Sequence, residues 1–509
     1  MMPFDVTIIG SGFSGSLLAW ILAKHGRSVL LVDRCKHPRF AIGESSTPIA
    51  DRLLERLAER HGLKPLAPLA RYGSWMEHYP HLMRGKKRGF SYFHHRKGQP
   101  FVERTKGGAS LLVAASPTDA SSDTHWLRAD VDQFLAEQAV AAGVECWNES
   151  EVARVTRVRD GWAIEVRDLA EGAQGTSPQT VRCGFVVDAS GPGQVLRRQL
   201  GLRDATAGLR TNSSACYTHL QHVAPAHPLQ FAERGPLNPF NADDAAQHHL
   251  LDDSWVWMLR FDDGRTSVGR VFRHPARAPQ ELKELEVALG LDDYPGLAAL
   301  LQNAVLAPQP GKWICSGRLQ SWCGSAIGDG FALMPPTYLR LDPLHSTGIA
   351  HGISGVERLS ECLLADDSAD LLTAYASQLH EEAVLLDRLV AACYLALNDF
   401  NLFELACSLY FIMAVAYEER RAGDQFDWVK QVRRRQPAAV WQADDRPLRS
   451  TVESLLAELE CLCGERPSDP GRVQRFYDRC AAVLEPWNRC GLFDRSVHRQ
   501  YAYTSTKSS

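Results

Sequence analysis

Residues 4–33 read as strand, glycine turn, helix, strand and acid, and that order leaves few folds open. Phe4 to Ile9 is an apolar run of buried-strand length, and Gly10-Ser11-Gly12-Phe13-Ser14-Gly15 follows it directly, ahead of an amphipathic helical stretch reaching Lys24. Gly10 permits a tight turn, Gly12 lets a pyrophosphate approach the backbone, and Gly15 lets the helix close onto the strand. Phe13 and Ser14 stand at the helix start, where amides and dipole favour a phosphate. A second strand, Ser28 to Val32, ends at Asp33 and Arg34, about 20 residues past the glycines, where a carboxylate meets ribose hydroxyls. The expectation is an α/β fold with a dinucleotide at the end of a parallel sheet.

The bulk properties narrow the class. The chain has 509 residues, 45% hydrophobic and 23% charged, ample for a large core. Its formal charge of -4 leaves no footprint for nucleic acid, and Arg433 to Arg435 read as a solvated helix face. The 13 cysteines form no C-x2-C pair, which fits free thiols in a reducing cytoplasm. Neighbouring His94 and His95 would face opposite sides of a strand, so no metal site is expected. No apolar run reaches about 18 residues, no secretory leader precedes Phe4, and Ala406 to Tyr417 is of core-helix length. Only the polar residues after Tyr503 read as disordered.

Three later segments identify the dinucleotide. Phe185 to Asp188 is a strand running into a turn at Gly191, Leu127-Arg128-Ala129-Asp130 opens a helix, and Ala326-Ile327-Gly328-Asp329-Gly330 follows a further apolar segment. Each has a structural reading: Asp188 ends a strand, Arg128 pairs with Asp130 or Asp132, and Asp329 steadies a loop. Together and in this order they resemble the FAD-dependent monooxygenases of the hydroxybenzoate hydroxylase type. That resemblance implies FAD, with Arg128, Asp188, Gly191 and Gly328 around it and Asp329 on the ribityl chain.

Further motifs separate one branch of these enzymes. Pro38-Arg39-Phe40-Ala41-Ile42-Gly43-Glu44-Ser45-Ser46-Thr47-Pro48 precedes a helix that Ser46 or Thr47 can cap. Leu341-Asp342-Pro343-Leu344-His345-Ser346-Thr347-Gly348-Ile349 leads into a helical run, Ala350 to Leu363, that Ser346 or Thr347 can cap. Gly85 to Tyr92 holds Lys86 and Lys87, of which a strand points only one inward; beside Arg84 and Arg88, composition alone makes Lys87 a solvated charge. Ser254 to Phe261 carries Trp255 and Trp257 on one strand face. These segments resemble flavin-dependent halogenases of the tryptophan halogenase superfamily, nearest in pattern to the phenolic and pyrrole enzymes. The W-x-W signature is incomplete, with Leu259 and Arg260 in place of Ile-Pro, and Arg340 stands where the family has an aromatic.

The resemblance implies a function. Arg39, Gly43, Glu44, Ser45, Pro343, Gly348 and Ile349 would lie against the flavin, and the amides of Thr347 and Gly348 would hold chloride or bromide. FADH2, delivered by a separate flavin reductase, would with oxygen and halide give hypohalous acid, and Lys87 would direct the halogen to an electron-rich phenol, indole or pyrrole, free or attached to a carrier protein. His345 replaces the family's glutamate or phenylalanine and reads as a base near neutral pH or as a loop cap. Two rivals are an aromatic monooxygenase or reductase without halide chemistry and a non-catalytic flavin-binding partner.

The expected architecture is an FAD-binding domain over 1–362, interrupted by a substrate-facing β-sheet from roughly 75–120 and 205–312, and a helical region over 363–509 covering the substrate. Glu151 to Arg167 reads as a hairpin. The clearest helices are Asp370 to Ala392, Leu402 to Arg421, Leu448 to Cys461 and Pro470 to Leu484, and Ala392 to Phe400 resembles the helical tail of phenolic halogenases. Trp428, Trp441 and Phe476 either line a pocket or fill a core.

Overall fold

The computed structural model describes residues 4–101, 108–170, 177–226, 238–273, 289–422, 427–434, 445–464 and 469–502. Five strands form a parallel sheet in the order Phe331–Leu333, Gln179–Asp188, Phe4–Ile9, Val29–Val32 and Glu145–Trp147. Val29–Val32 is apolar throughout because it is buried on both faces. The expected hairpin is present as Ser150–Val158 and Gly161–Asp168, and it extends the sheet from Gln179–Asp188.

The first helix, Phe13–Lys24, is not amphipathic. Every residue from Phe13 to Leu22 is buried, because helices Arg128–Ala141 and Thr347–Leu364 both pack on it. Its approach to the first strand depends on Gly15, where a Cβ would meet the Gly10 carbonyl oxygen at 2.0 Å. Gly15→Ala is therefore expected to push the helix off the glycine turn and abolish FAD binding, read as loss of flavin absorbance from the purified protein.

A second, nine-stranded sheet contains the expected insert. Its order is Val305–Leu306, Ser214–Gln221, Thr266–Phe272, Ser254–Arg260, Ala245–Leu250, Gly89–His94, Ser110–Ala114 and Gln500–Tyr501, with Ile314–Arg318 also on Ser214–Gln221. The last edge strand corrects the expectation of a purely helical tail: Gln500–Tyr501 returns to pair with Ser110–Ala114. Helix Thr347–Leu364 also runs through the expected boundary at 362.

Among the described residues the tail helices are Ala369–Leu395, Phe400–Ala422, the short Trp428–Arg433, Arg446–Gly464 and Pro470–Leu484. Phe400–Arg421 is long and apolar enough to cross a membrane by composition, yet 94% of its apolar window is buried inside the protein. Strand Gly89–His94 explains the burial: His94 stacks on Phe400, Tyr92 packs on Phe403 and Phe90 on Phe411, alternate residues facing one helix. Trp428 and Phe476 fill the core. Trp441, Arg435 and the tail after Tyr503 lie outside the described residues.

Candidate active site

A cavity of about 530 Å³ opens where the glycine turn, the 38–48 loop and the start of helix Thr347–Leu364 converge. Gly12, Phe13, Ser14, Arg39, Gly43, Glu44, Ser45, Arg128, Gly191, Pro343, Gly348 and Ile349 all line it. A Cβ on Gly348 would project into open space, and the first amides of its helix have no acceptor within the helix. Gly10, at φ +107°, closes the turn beneath. This cradle, with free helix amides at both the Phe13 and Thr347 ends, fits the phosphates and ring of FAD.

Asp33 organises the far side of the glycine turn. It accepts from the Ser11 amide at 2.7 Å, the Ser11 hydroxyl at 2.9 Å and the Cys35 amide at 2.9 Å. Burial alone would raise its pKa, but Arg39 and these donors hold it below the ordinary carboxylate value. Arg128 grips Asp132 through two hydrogen bonds of 2.8 Å, not Asp130, and donates to the carbonyls of Ile42 and Gly43. It therefore fixes the 38–48 loop from below.

Four expected cofactor contacts are corrected by the structure. Arg34 turns to solvent and pairs with Glu151. Asp188 is consumed locally: its carboxylate accepts from the Ser190 amide and hydroxyl and from the Leu196 amide. Gly328 and Asp329 sit in an exposed turn, with Asp329 83% exposed and paired with Arg157 at 2.9 Å. The reason is topological. Phe331–Leu333 runs parallel to Gln179–Asp188, so the Gly-Asp turn lies at the strand end remote from the cavity. The near end carries Met334-Pro335-Pro336, and Pro336 lines the cavity instead.

Strand Asp123–Trp126 links the flavin loop to the lysine. Along one edge it receives the loop, through Ser46 N–H to the Thr124 carbonyl at 3.0 Å and Trp126 N–H to the Glu44 carbonyl at 2.6 Å. Along the other it pairs with Arg84–Lys87, placing Lys87 opposite Asp123. Alternation sends Lys86 outward to Asp119 and Asp244 and Lys87 inward, where it is fully buried. Its ammonium reaches across the strand to donate to the Ser46 carbonyl and lies 4.0 Å from the centre of the Phe90 ring.

Phe90 also lines a second, smaller space of about 30 Å³, together with Thr47, Pro48, Ile49, His345, Tyr410, Phe411 and Glu418. Here His345 departs from its expected role as a base. Its Nδ1 is 3.0 Å from the Tyr92 hydroxyl, its Nε2 is 3.3 Å from the Cys393 thiol, and its ring stacks on Tyr410 at 4.0 Å. Burial, with His248 adding to it, pushes its pKa well below 6.5. It is a neutral wall residue with both nitrogens engaged. Thr347 likewise turns away from the main cavity, its hydroxyl 3.0 Å from that of Tyr410. None of Ser46, Thr47, Ser346 and Thr347 caps its helix through the side chain; Ser46 bonds Asp51, and Asp342 caps the short turn Pro343–His345.

Comparison with known proteins decides the family. The model of the FAD dependent oxidoreductase family matches residues 5–335. Tetracycline 7-halogenase of Kitasatospora aureofaciens is 31% identical over 418 residues, covering 79% of this chain and 71% of its own. The chain belongs to the flavin-dependent halogenases. The monodechloroaminopyrrolnitrin halogenase PrnC of Pseudomonas fluorescens is 29% identical, covering 79% and 69%. The crystal structure of halogenase PltM shares the fold, with a TM-score of 0.85 at 23% identity over 98% of this chain and 99% of that one.

One cavity residue of this halogenase, His248, carries no motif. His248 lines the main cavity, stacks on Tyr92 at 4.5 Å and feels the Lys87 charge, so it stands between the cavity and the lysine. The period-two pattern Ala246, His248, Leu250 marks its strand face. Trp255 and Trp257 line the cavity as well as the core, and Trp255 donates to Tyr394, whose hydroxyl donates to Asp342 at 2.9 Å. Asp342 also accepts from Gln320 at 2.9 Å and from the Leu344 amide.

Full burial raises the Asp342 pKa from 3.8 to about 6, against the opposing pull of its donors. The folded protein therefore takes up this proton at higher pH than the unfolded chain. The resulting stabilisation is complete below pH 3.8 and is lost as pH rises through about 6. Relative to Asp342→Asn, the wild type should gain up to about 3 kcal/mol as pH falls across that window, measured by urea unfolding at both ends.

Proposed function

We propose that this halogenase brominates or chlorinates an electron-rich aromatic ring, a phenol, indole or pyrrole, with Lys87 directing the halogen. FAD, when bound and reduced by a separate flavin reductase, would activate oxygen, and oxygen supplies the oxidising power that turns halide into hypohalous acid. The supporting observation is Lys87 itself: a fully buried ammonium, one strand away from the flavin loop and set against an aromatic wall. Burial of a cation is costly, and a site that retains one has a use for it.

The residues divide the work. Gly348 and its neighbouring amides offer a halide site at the cavity, and Glu44, held by His219 at 2.8 Å, closes the loop between cavity and chamber. Lys87 donates a hydrogen bond to the arriving oxidant and fixes its approach to the ring. Phe90, Tyr410 and Phe411 wall the small space beside Lys87, which must widen from about 30 Å³ to admit an aromatic ring, and His345 shapes the same wall. PltM has been solved with phloroglucinol and FAD, and one relative, 25% identical over 361 residues, is a chlorinase of a carrier-bound pyrrole. Both chemistries fall within the proposed substrate class.

The test supplies a flavin reductase, NADH, oxygen and bromide with a panel of free phenols, indoles and pyrroles and their carrier-protein thioesters. Brominated product from at least one substrate is the expected outcome. Flavin oxidation without halogenated product across the panel would remove the proposal.

A further inference from the structure

Strands Ser214–Gln221 and Ile314–Arg318 place two thiols directly opposite each other. Cys216 pairs in register with Cys315, and their sulfurs lie 2.7 Å apart. Neither is in a disulfide; Cys216 is fully buried and Cys315 is half-buried. We propose that this pair is a redox modification site, closing to a reversible disulfide that ties Ile314–Arg318 to the sheet. A sulfur–sulfur bond of roughly 2.0 Å asks for a closure of less than an ångström.

The two cysteines take different parts. Cys315, the more accessible, meets hydrogen peroxide first: its sulfur attacks one peroxide oxygen, giving a sulfenic acid and releasing water. The Cys216 sulfur then attacks the Cys315 sulfur, the S–O bond breaks, and a second water leaves with the Cys216 proton. Peroxide is reduced by two electrons and the thiol pair is oxidised by two. Burial raises the Cys216 thiol pKa, with the facing Cys315 thiol adding to it and Arg270 opposing, which disfavours Cys216 as the first thiol to meet peroxide; in the second step its proton passes to the departing hydroxide as the adjacent sulfurs join.

The bond would bear on the flavin site. On the opposite face of Ser214–Gln221, Tyr217 stacks on Phe40 and His219 holds Glu44, both in the 38–48 loop. Beyond Arg318, Leu319 lines the cavity. Joining the strands fastens two walls of the flavin cavity, so oxidised enzyme should release FAD several-fold more slowly than reduced enzyme.

The experiment treats reduced, FAD-loaded enzyme with hydrogen peroxide, blocks remaining thiols under denaturing conditions, and maps linked peptides by mass spectrometry without reduction. A Cys216–Cys315 peptide that disappears with dithiothreitol is expected, together with slower FAD release that C315S does not show. Should both residues emerge alkylated, or Cys315 appear as sulfinic acid with Cys216 free, the modification site is overturned. A mapped bond with unchanged FAD release would overturn its fastening of the cavity.

Discussion

Lys87→Met should lower halogenation by two to four orders of magnitude, on the order of a positioned proton-donating group, while leaving FAD bound and oxidised at the normal rate. Methionine keeps the unbranched stem and most of the volume, so the fully buried site stays filled. What disappears is the ammonium that reaches the Ser46 carbonyl and the face of Phe90. Lys86→Met is the control. Its ammonium is engaged outside by Asp119 and Asp244, and its loss should change the rate by less than about twofold, since such surface pairs contribute little. Product formation and flavin reoxidation, followed in parallel, separate the two substitutions.

The largest effect on stability is expected at Glu382. Its carboxylate accepts from Arg358 at 2.9 and 3.2 Å and faces His351 Nε2 at 3.0 Å, and all three side chains are buried. Burial alone would raise the Glu382 pKa, but Arg358 and then His351 hold it below 4.5. Glu382→Ala leaves the Arg358 guanidinium in the core without its carboxylate, held by the Ser354 carbonyl and the Gln378 side-chain oxygen, and removing one partner of a buried pair costs about 3–5 kcal/mol. Because His351 lines the flavin cavity, FAD affinity should fall with stability. The wild-type advantage should be full at neutral pH and shrink as pH drops below 4.5, where the unfolded chain holds the proton. Urea unfolding of both proteins at two pH values measures it.

Sequence legibility followed the range of the interactions. The glycine turn, the 38–48 loop and the Lys86/Lys87 alternation are local, and each could be read from a few adjacent residues. Asp329 could not. Two turns flank the short strand Phe331–Leu333, and only its parallel pairing with Gln179–Asp188 decides which turn meets the cofactor; a Gly-Asp at the remote end and Pro335-Pro336 at the near end cannot be told apart without that pairing. Asp188 was misread for the opposite reason, since Ser190 and Leu196 satisfy it within eight residues. His345 needed the longest reach: its partners Tyr92 and Cys393 come from the substrate sheet and a tail helix, and they convert an expected base into a neutral wall. Cys393 and Cys407 even bring their sulfurs within 4.8 Å of that ring and of each other, a grouping that no spacing along the chain announces.

The central claim is that oxygen's oxidising power leaves this protein as halogen on an aromatic carbon rather than as a hydroxyl group. Turnover under ¹⁸O₂ with bromide, a flavin reductase and an accepted aromatic substrate tests it directly by product mass. The expected product carries bromine, with its paired isotope pattern, and no ¹⁸O. A product carrying ¹⁸O and no bromine would contradict the account and make the enzyme a monooxygenase.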